Sequence, residues 1–291
     1  MSDETAKSAA SETPPPSPPS KPSSRLPWII VLVLLVAVAA IAGVMIPRFQ
    51  RQKTETELLA LKANQVPANA KLFSYAVSIG EKEFGKNCQS CHGADLKGDP
   101  QKGVPNMTDD DWLYGGGLMG DLEQTISYGI RSGHPKAWNL ANMPAYGSDN
   151  PHSVSLAEKM PTLNAMEISD LADYMLQQEK RPFDAAAATR GDALYQNKAG
   201  CFDCHGQDAG GDPAIGAPSL TDAIWLYGTG SKQDIMTSIS SGHAGTCPAW
   251  IDKLGKLKVR GLAAYVKSKS KQSPYAVPEE ELSTDKPPLP K

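Results

Sequence analysis

Cysteine occurs only five times in 291 residues, which is too few for a disulfide scaffold of this length. Neither sign of charge predominates: 29 Lys and Arg stand against 32 Asp and Glu, for a formal net charge of -3. That balance excludes a nucleic-acid-binding protein driven by a strongly basic surface. Gly and Pro, at 25 and 24 residues, fall below the level of a wholly low-complexity chain. Nowhere is there a clear strand alternation, so the body of the chain is expected to be all-α.

Charge is missing altogether from Trp28 to Ile46, 19 residues without a strongly polar side chain. At about 1.5 Å per helical residue this run nearly matches a hydrocarbon core of roughly 30 Å, and a transmembrane helix is expected over residues 27–47. The competing reading is a cleaved signal peptide, for which Arg25 supplies a basic flank and Ala40-Ile41-Ala42 a cleavage-like site. The apolar run exceeds the roughly 7 to 15 residues usual for such a segment. Residues 1–26 are rich in Pro, Ser and Thr and are expected to be a disordered tail, as are residues 273–291. Residues 48–70 are expected to be a linker.

Sliding the chain by 113 residues exposes an internal repeat. Cys88, Cys91 and His92 fall on Cys201, Cys204 and His205. Gly98-Asp99-Pro100 falls on Gly211-Asp212-Pro213, and Trp112-Leu113-Tyr114-Gly115 on Trp225-Leu226-Tyr227-Gly228. After small gaps, Ser132-Gly133-His134 matches Ser241-Gly242-His243, and Leu171-Ala172-Asp173-Tyr174 matches Leu262-Ala263-Ala264-Tyr265. Phe73, Val77, Gly80 and Phe84 recur at helical spacing before the first motif. Two related helical domains are therefore expected, over residues 71–181 and 182–272.

Two thiols three positions apart, with an imidazole directly after the second, suit covalent attachment to both vinyl groups of a heme and ligation of its iron by the histidine. Cys88 and Cys91 would attach one heme with His92 as proximal ligand, and Cys201 and Cys204 a second with His205. A redox dithiol or half of a zinc site would not need the histidine in both copies. For the sixth ligand, Met143 in Met143-Pro144-Ala145 is the candidate for the first iron. Cys247 stands at the matching place for the second, in Cys247-Pro248-Ala249-Trp250, with His243 or water as the alternative. Trp112 and Trp225 can hydrogen-bond a propionate through the indole N–H or simply close the core. His134 and His243 are either propionate contacts or plain loop residues. The aspartates at 109–111 read as a solvated face that can steer a basic partner.

One anchor followed by two such copies, each with Gly-Asp-Pro after the heme motif and a Trp-Leu-Tyr-Gly segment, resembles the diheme subunit III of cbb3-type cytochrome c oxidase over about residues 70 to 270. The resemblance implies two tandem cytochrome c domains with two covalent c-type hemes. It also implies a place in the bacterial inner membrane, with the N-terminus cytoplasmic and the heme domains periplasmic. Electrons would pass from a donor c-type cytochrome through this chain to the monoheme subunit and the catalytic heme-copper subunit, the chain itself not being the site of oxygen chemistry. Two departures from the family stand out: the N-terminal region has a Pro-rich tail and one span without the aromatic stretch that many members carry after a first helix, and Cys247 replaces a methionine. A second function consistent with that cysteine is a membrane-anchored diheme enzyme oxidising sulfur compounds.

Overall fold

The computed structural model describes residues 26–149 and 160–271. The expected tails at 1–26 and 273–291 lie almost wholly outside the described residues, as does His152. Among the described residues the fold is helical, with isolated β-bridges and no strands. The apolar run forms the first part of α1, Leu26–Ala60, whose side chains from Trp28 to Ile46 are largely exposed in the isolated chain. It is long and apolar enough to cross a membrane. The helix outlasts the apolar run, so much of the expected linker is helical. Residues 48–60 contain neither Gly nor Pro, and Lys53 lies 4.0 Å from Glu57 one turn on. A 3₁₀ turn, Ala63–Ala68, then leads into the heme-motif region.

From Lys53 onward the chain forms one compact unit. The first motif is presented by α2, Ala70–Asn87, and a single turn, α3, Gln89–His92. After a long loop comes α4, Met119–Tyr128, and further on α5, Ala165–Gln178. The second copy repeats the order with α6, Ala185–Ala193, then α7, Phe202–His205, α8, Lys232–Ser241, and α9, Ile251–Lys269. Between α6 and the second motif, Leu194–Lys198 forms a π-helical turn. Six residues separate Tyr195 from Cys201, against four from Phe84 to Cys88, and a wide turn is a local way to absorb added residues.

Helix pairing crosses the boundary between the repeats. The helix before the first motif, α2, packs not on α5 but on α9 at the far end of the chain. A Cβ on Gly80 would sit 1.9 Å from the carbonyl oxygen of Gly261, so the two backbones touch, and the rings of Phe84 and Tyr265 lie 5.3 Å apart. The second pair is α5 with α6. There a Cβ on Gly191 would sit 2.2 Å from the Asp170 carbonyl, and Tyr174 and Tyr195 lie 5.2 Å apart. Tyr174 and Tyr265 are matched residues of the repeat, each serving the opposite copy. One core joins Leu72, Ala76, Phe84, Met119 and Leu122 to Leu262, Ala263 and Val266; the other joins Ile168, Leu171 and Met175 to Tyr195, Ala199 and Ile235.

Arg260 fixes α9 to the start of this body. Its guanidinium donates to the carbonyls of Leu58 and Leu61 at 2.8 and 2.7 Å, satisfying acceptors at the end of α1, and pairs with Glu123 of α4 at 3.1 Å. Charge of the opposite kind is crowded where the copies meet. Burial and the Asp222 carboxylate of the other copy push the Asp111 carboxyl up to about 6.

Gly80→Ala is expected to cost about 1–3 kcal/mol by forcing α2 from α9. Gly85→Ala on the same helix, where a Cβ meets nothing nearer than 3.7 Å, should be neutral or slightly stabilising; denaturant titration in detergent compares them. Residues 1–181 and 182–291 produced as two chains should co-purify, since each carries a helix the other packs against. Independent folding of either half would contradict the crossed pairing. Asp111 binds a proton more readily folded than unfolded, so its contribution falls as pH rises from about 4 to about 6. Asp111→Asn should therefore raise Tm more at pH 7 than at pH 4.

Candidate heme sites

The two motifs occupy equivalent turns. The helix before each runs into a short turn that ends on the histidine, and Gly93 and Gly206 follow at φ 76, a left-handed conformation that turns the chain away. Cys91 is exposed, whereas Cys88, Cys201 and Cys204 are half-buried, and none of the five cysteines is in a disulfide. Burial, helped by the charge of Cys247, pushes the Cys88 thiol up to about 11, and burial pushes Cys201 up to about 12. Unmodified, these are protonated thiols, the reverse of the lowered values that a redox dithiol needs. Among the described residues no cluster of three His, Cys, Asp or Glu side chains forms a metal-ion site of the zinc kind.

Both histidines are held neutral by burial, which keeps a ring lone pair available. In the second site His205 Nδ1 lies 2.9 Å from the Pro218 carbonyl, so it donates there and leaves Nε2 as the nitrogen with the free lone pair. His92 Nδ1 is buried without a hydrogen-bond partner. The indole N–H groups of Trp112 and Trp225 are likewise buried and unpartnered, each against a glycine of its own copy, Gly117 and Gly230. Beside them Lys267 donates to the Gly117 carbonyl at 2.8 Å and Arg181 to the Gly230 carbonyl. Matched orphan donors with a cation close by fit a heme with its propionates, on the histidine and indole chemistry alike. The two cations carried no sequence signal, because each comes from, or directly follows, the helix that has crossed over.

The tyrosine of each Trp-Leu-Tyr-Gly segment joins the copies. Tyr114 lies where a Cβ on Gly216 would be, and Tyr227 where one on Gly103 would be. Gly115 N–H donates to the Pro213 carbonyl at 3.0 Å and Gly228 N–H to the Pro100 carbonyl at 3.1 Å. The Gly-Asp-Pro turn of each copy is thus the acceptor for the other. Further reciprocal backbone pairs link Ile130 to Cys247 and Met143 to His243. The result is a local two-fold relation within one chain.

The packing of these loops does not follow sequence order. Met143, read as the ligand opposite His92, packs instead against the core cluster of Tyr195, Ala199 and Ile235, the same cluster that Cys201, Phe202 and Trp225 of the second site pack against. Cys247, read as standing opposite His205, is instead paired backbone to backbone with Ile130 at the end of α4 in the first copy, within electrostatic range of Cys88 and Cys91. The cause is that each loop leads into the helix that covers the other copy. The Ser-Gly-His match is also displaced by four residues: Gly129 and Gly242 end α4 and α8, so His243 corresponds to Ile130 and not to His134. His134 stacks on Tyr128 and accepts from Lys136 N–H, a loop residue's role, while His243 stacks on Tyr227 at 3.5 Å. Met119 is core and Met166 exposed.

Comparison with known proteins identifies the family. Residues 77–179 match the cytochrome c family, and residues 186–266 the family described as cytochrome C oxidase, cbb3-type, subunit III. The chain is 38% identical over 207 residues to the cbb3-type cytochrome c oxidase subunit FixP of Bradyrhizobium sp. (strain ORS 278), covering 70% of this chain and 64% of the relative. It is 36% identical over 217 residues to subunit FixP of Azorhizobium caulinodans, covering 74% and 67%. It is also 36% identical over 222 residues to subunit CcoP of Azospirillum brasilense, covering 74% and 70%. With its apolar N-terminal helix, paired heme motifs and these relatives, the chain belongs to the FixP/CcoP family, subunit III of the cbb3-type cytochrome c oxidases.

Proposed function

We propose that this membrane-anchored chain carries two covalent c-type hemes and relays electrons from a donor c-type cytochrome to the monoheme and heme-copper subunits of a cbb3-type oxidase. The observation that carries the reading is the reciprocal tie between two equivalent motif turns, made backbone to backbone through Gly115, Pro213, Gly228 and Pro100. Side chains can swing, but a link of this kind keeps two sites at a fixed separation, which suits repeated transfer between them. Heme, when bound, supplies the one-electron couple.

The protein's own part is to attach, orient and shield. Cys88 with Cys91, and Cys201 with Cys204, would form the thioethers, His92 and His205 would ligate the irons, and Met143 would be a further ligand on the His205 side. The His205–Pro218 bond sets the ring's orientation. The two apolar clusters exclude water and so limit reorganisation when charge changes. Attachment outside the cytoplasm agrees with an N-terminus in the cytoplasm of a bacterial inner-membrane protein. Of the aspartates at 109–111, Asp110 is exposed and would favour a basic soluble donor, whereas Asp109 and Asp111 are partly buried.

Intact mass and heme staining of the purified protein should show two hemes. The full chain, solubilised from membranes, should co-purify with a subunit containing heme b and copper and be reduced by a soluble c-type cytochrome. One heme, or sulfur-compound turnover by the isolated chain without an oxidase partner, would overturn the proposal.

A further inference from the structure

We infer that Cys247, as a thiolate, is the distal ligand of the iron whose heme is held by Cys88, Cys91 and His92, so that the two hemes of the chain are chemically unlike. This rests on the two-heme reading above and assigns one ligand within it.

The local two-fold fixes the position. Met143 exchanges two backbone hydrogen bonds with His243, the residue after the glycine that ends α8, both at 3.0 Å, and packs against the same core cluster as Cys201. Cys247 exchanges two with Ile130, the residue after the glycine that ends α4, both at 2.9 Å. Cys247 therefore stands toward the first motif as Met143 stands toward the second. The approach is as close in both: a Cβ on Gly242 would lie 2.5 Å from the Met143 carbonyl oxygen, and one on Gly129 only 2.3 Å from that of Cys247. Four residues lead from Gly242 to Cys247, against thirteen from Gly129 to Met143, so the shorter side chain sits on the shorter tether. The sulfur is partly buried and within electrostatic range of Cys88 and Cys91. Its hydrogen-bond contact is a weak one to the carbonyl of the next residue, Pro248, at 3.8 Å.

Coordination breaks the S–H bond, forms an Fe–S bond and sends the proton to solvent. No electron moves, and the iron remains ferric. Ferric iron lowers a thiol's pKa as other metals do, and the anionic sulfur then stabilises Fe(III) over Fe(II), whereas the neutral thioether of Met143 favours Fe(II). With these ligands the heme held by His92 would have the lower potential of the two.

Electron paramagnetic resonance of the ferric full-length protein in detergent, with a redox titration, tests this. One of two low-spin signals should be thiolate-type. Cys247→Ala should lose it and gain a high-spin signal, and Cys247→Met should raise the lower potential and add a near-infrared Met–Fe(III) band. Because a single variant does not say which iron is involved, His92→Lys should alter the thiolate signal and His205→Lys should leave it in place. Two hemes with an unchanged spectrum in Cys247→Ala, or a thiolate signal that answers to His205→Lys and not to His92→Lys, would overturn the assignment alone. Wild-type protein lacking covalent heme would overturn the underlying reading and the assignment with it.

Discussion

Two helix crossings made through glycine hold the heme-bearing body together. At Gly80 the backbone of α2 meets the backbone of α9, and at Gly191 that of α6 meets α5. Side chains at either position would separate the helices by more than the surrounding Leu, Val and Tyr residues could fill. Because the partner at the first crossing comes from the far end of the chain, neither motif is enclosed by its own repeat. The tether of Arg260 to Leu58 and Leu61 follows from the same crossing, for it is α9 that carries this arginine back to the end of α1.

The crossing also explains why the loops between the copies are so heavily shared. Once the closing helices are exchanged, each loop leading to them must pass the other copy, and its polar backbone needs partners there. The pairs at Ile130 with Cys247 and Met143 with His243 provide them, and Tyr114 and Tyr227 fill the space left over the Gly-Asp-Pro turns. The Trp-Leu-Tyr-Gly segment thus has two jobs on adjacent faces. Its tryptophan closes the copy it belongs to, and its tyrosine locks that copy to its neighbour.

Much of this was legible in the sequence. The heme motifs, the repeat, the apolar span and the helices around Phe84 and Leu171 were all expected from spacing and periodicity. Helix partners were not, for a plain physical reason: an apolar stripe shows that a face is covered, not by what. Leu171-Ala172-Asp173-Tyr174 and Leu262-Ala263-Ala264-Tyr265 offer nearly the same face, so the local pattern is indifferent to which copy each closes. The distal loops inherited that ambiguity, which is why Met143 and Cys247 were assigned by chain order. What aligns the two copies here is not Ser-Gly-His but a glycine in the left-handed conformation at the end of α4 and of α8. Lys267 and Arg181 could not be found without the fold, since a lone cation near a helix end is an ordinary surface residue.

The exchange of closing helices also sets an order of assembly. A polypeptide emerges from its N-terminus, so the turn bearing Cys88, Cys91 and His92 is made early, yet its cover, Ile251–Lys269, is made almost last. The second turn, by contrast, has α5 already waiting when it appears. During synthesis the first pair of thiols therefore stays accessible for longer than the second. Any factor that must reach cysteines in an open chain has its widest interval at the site made first.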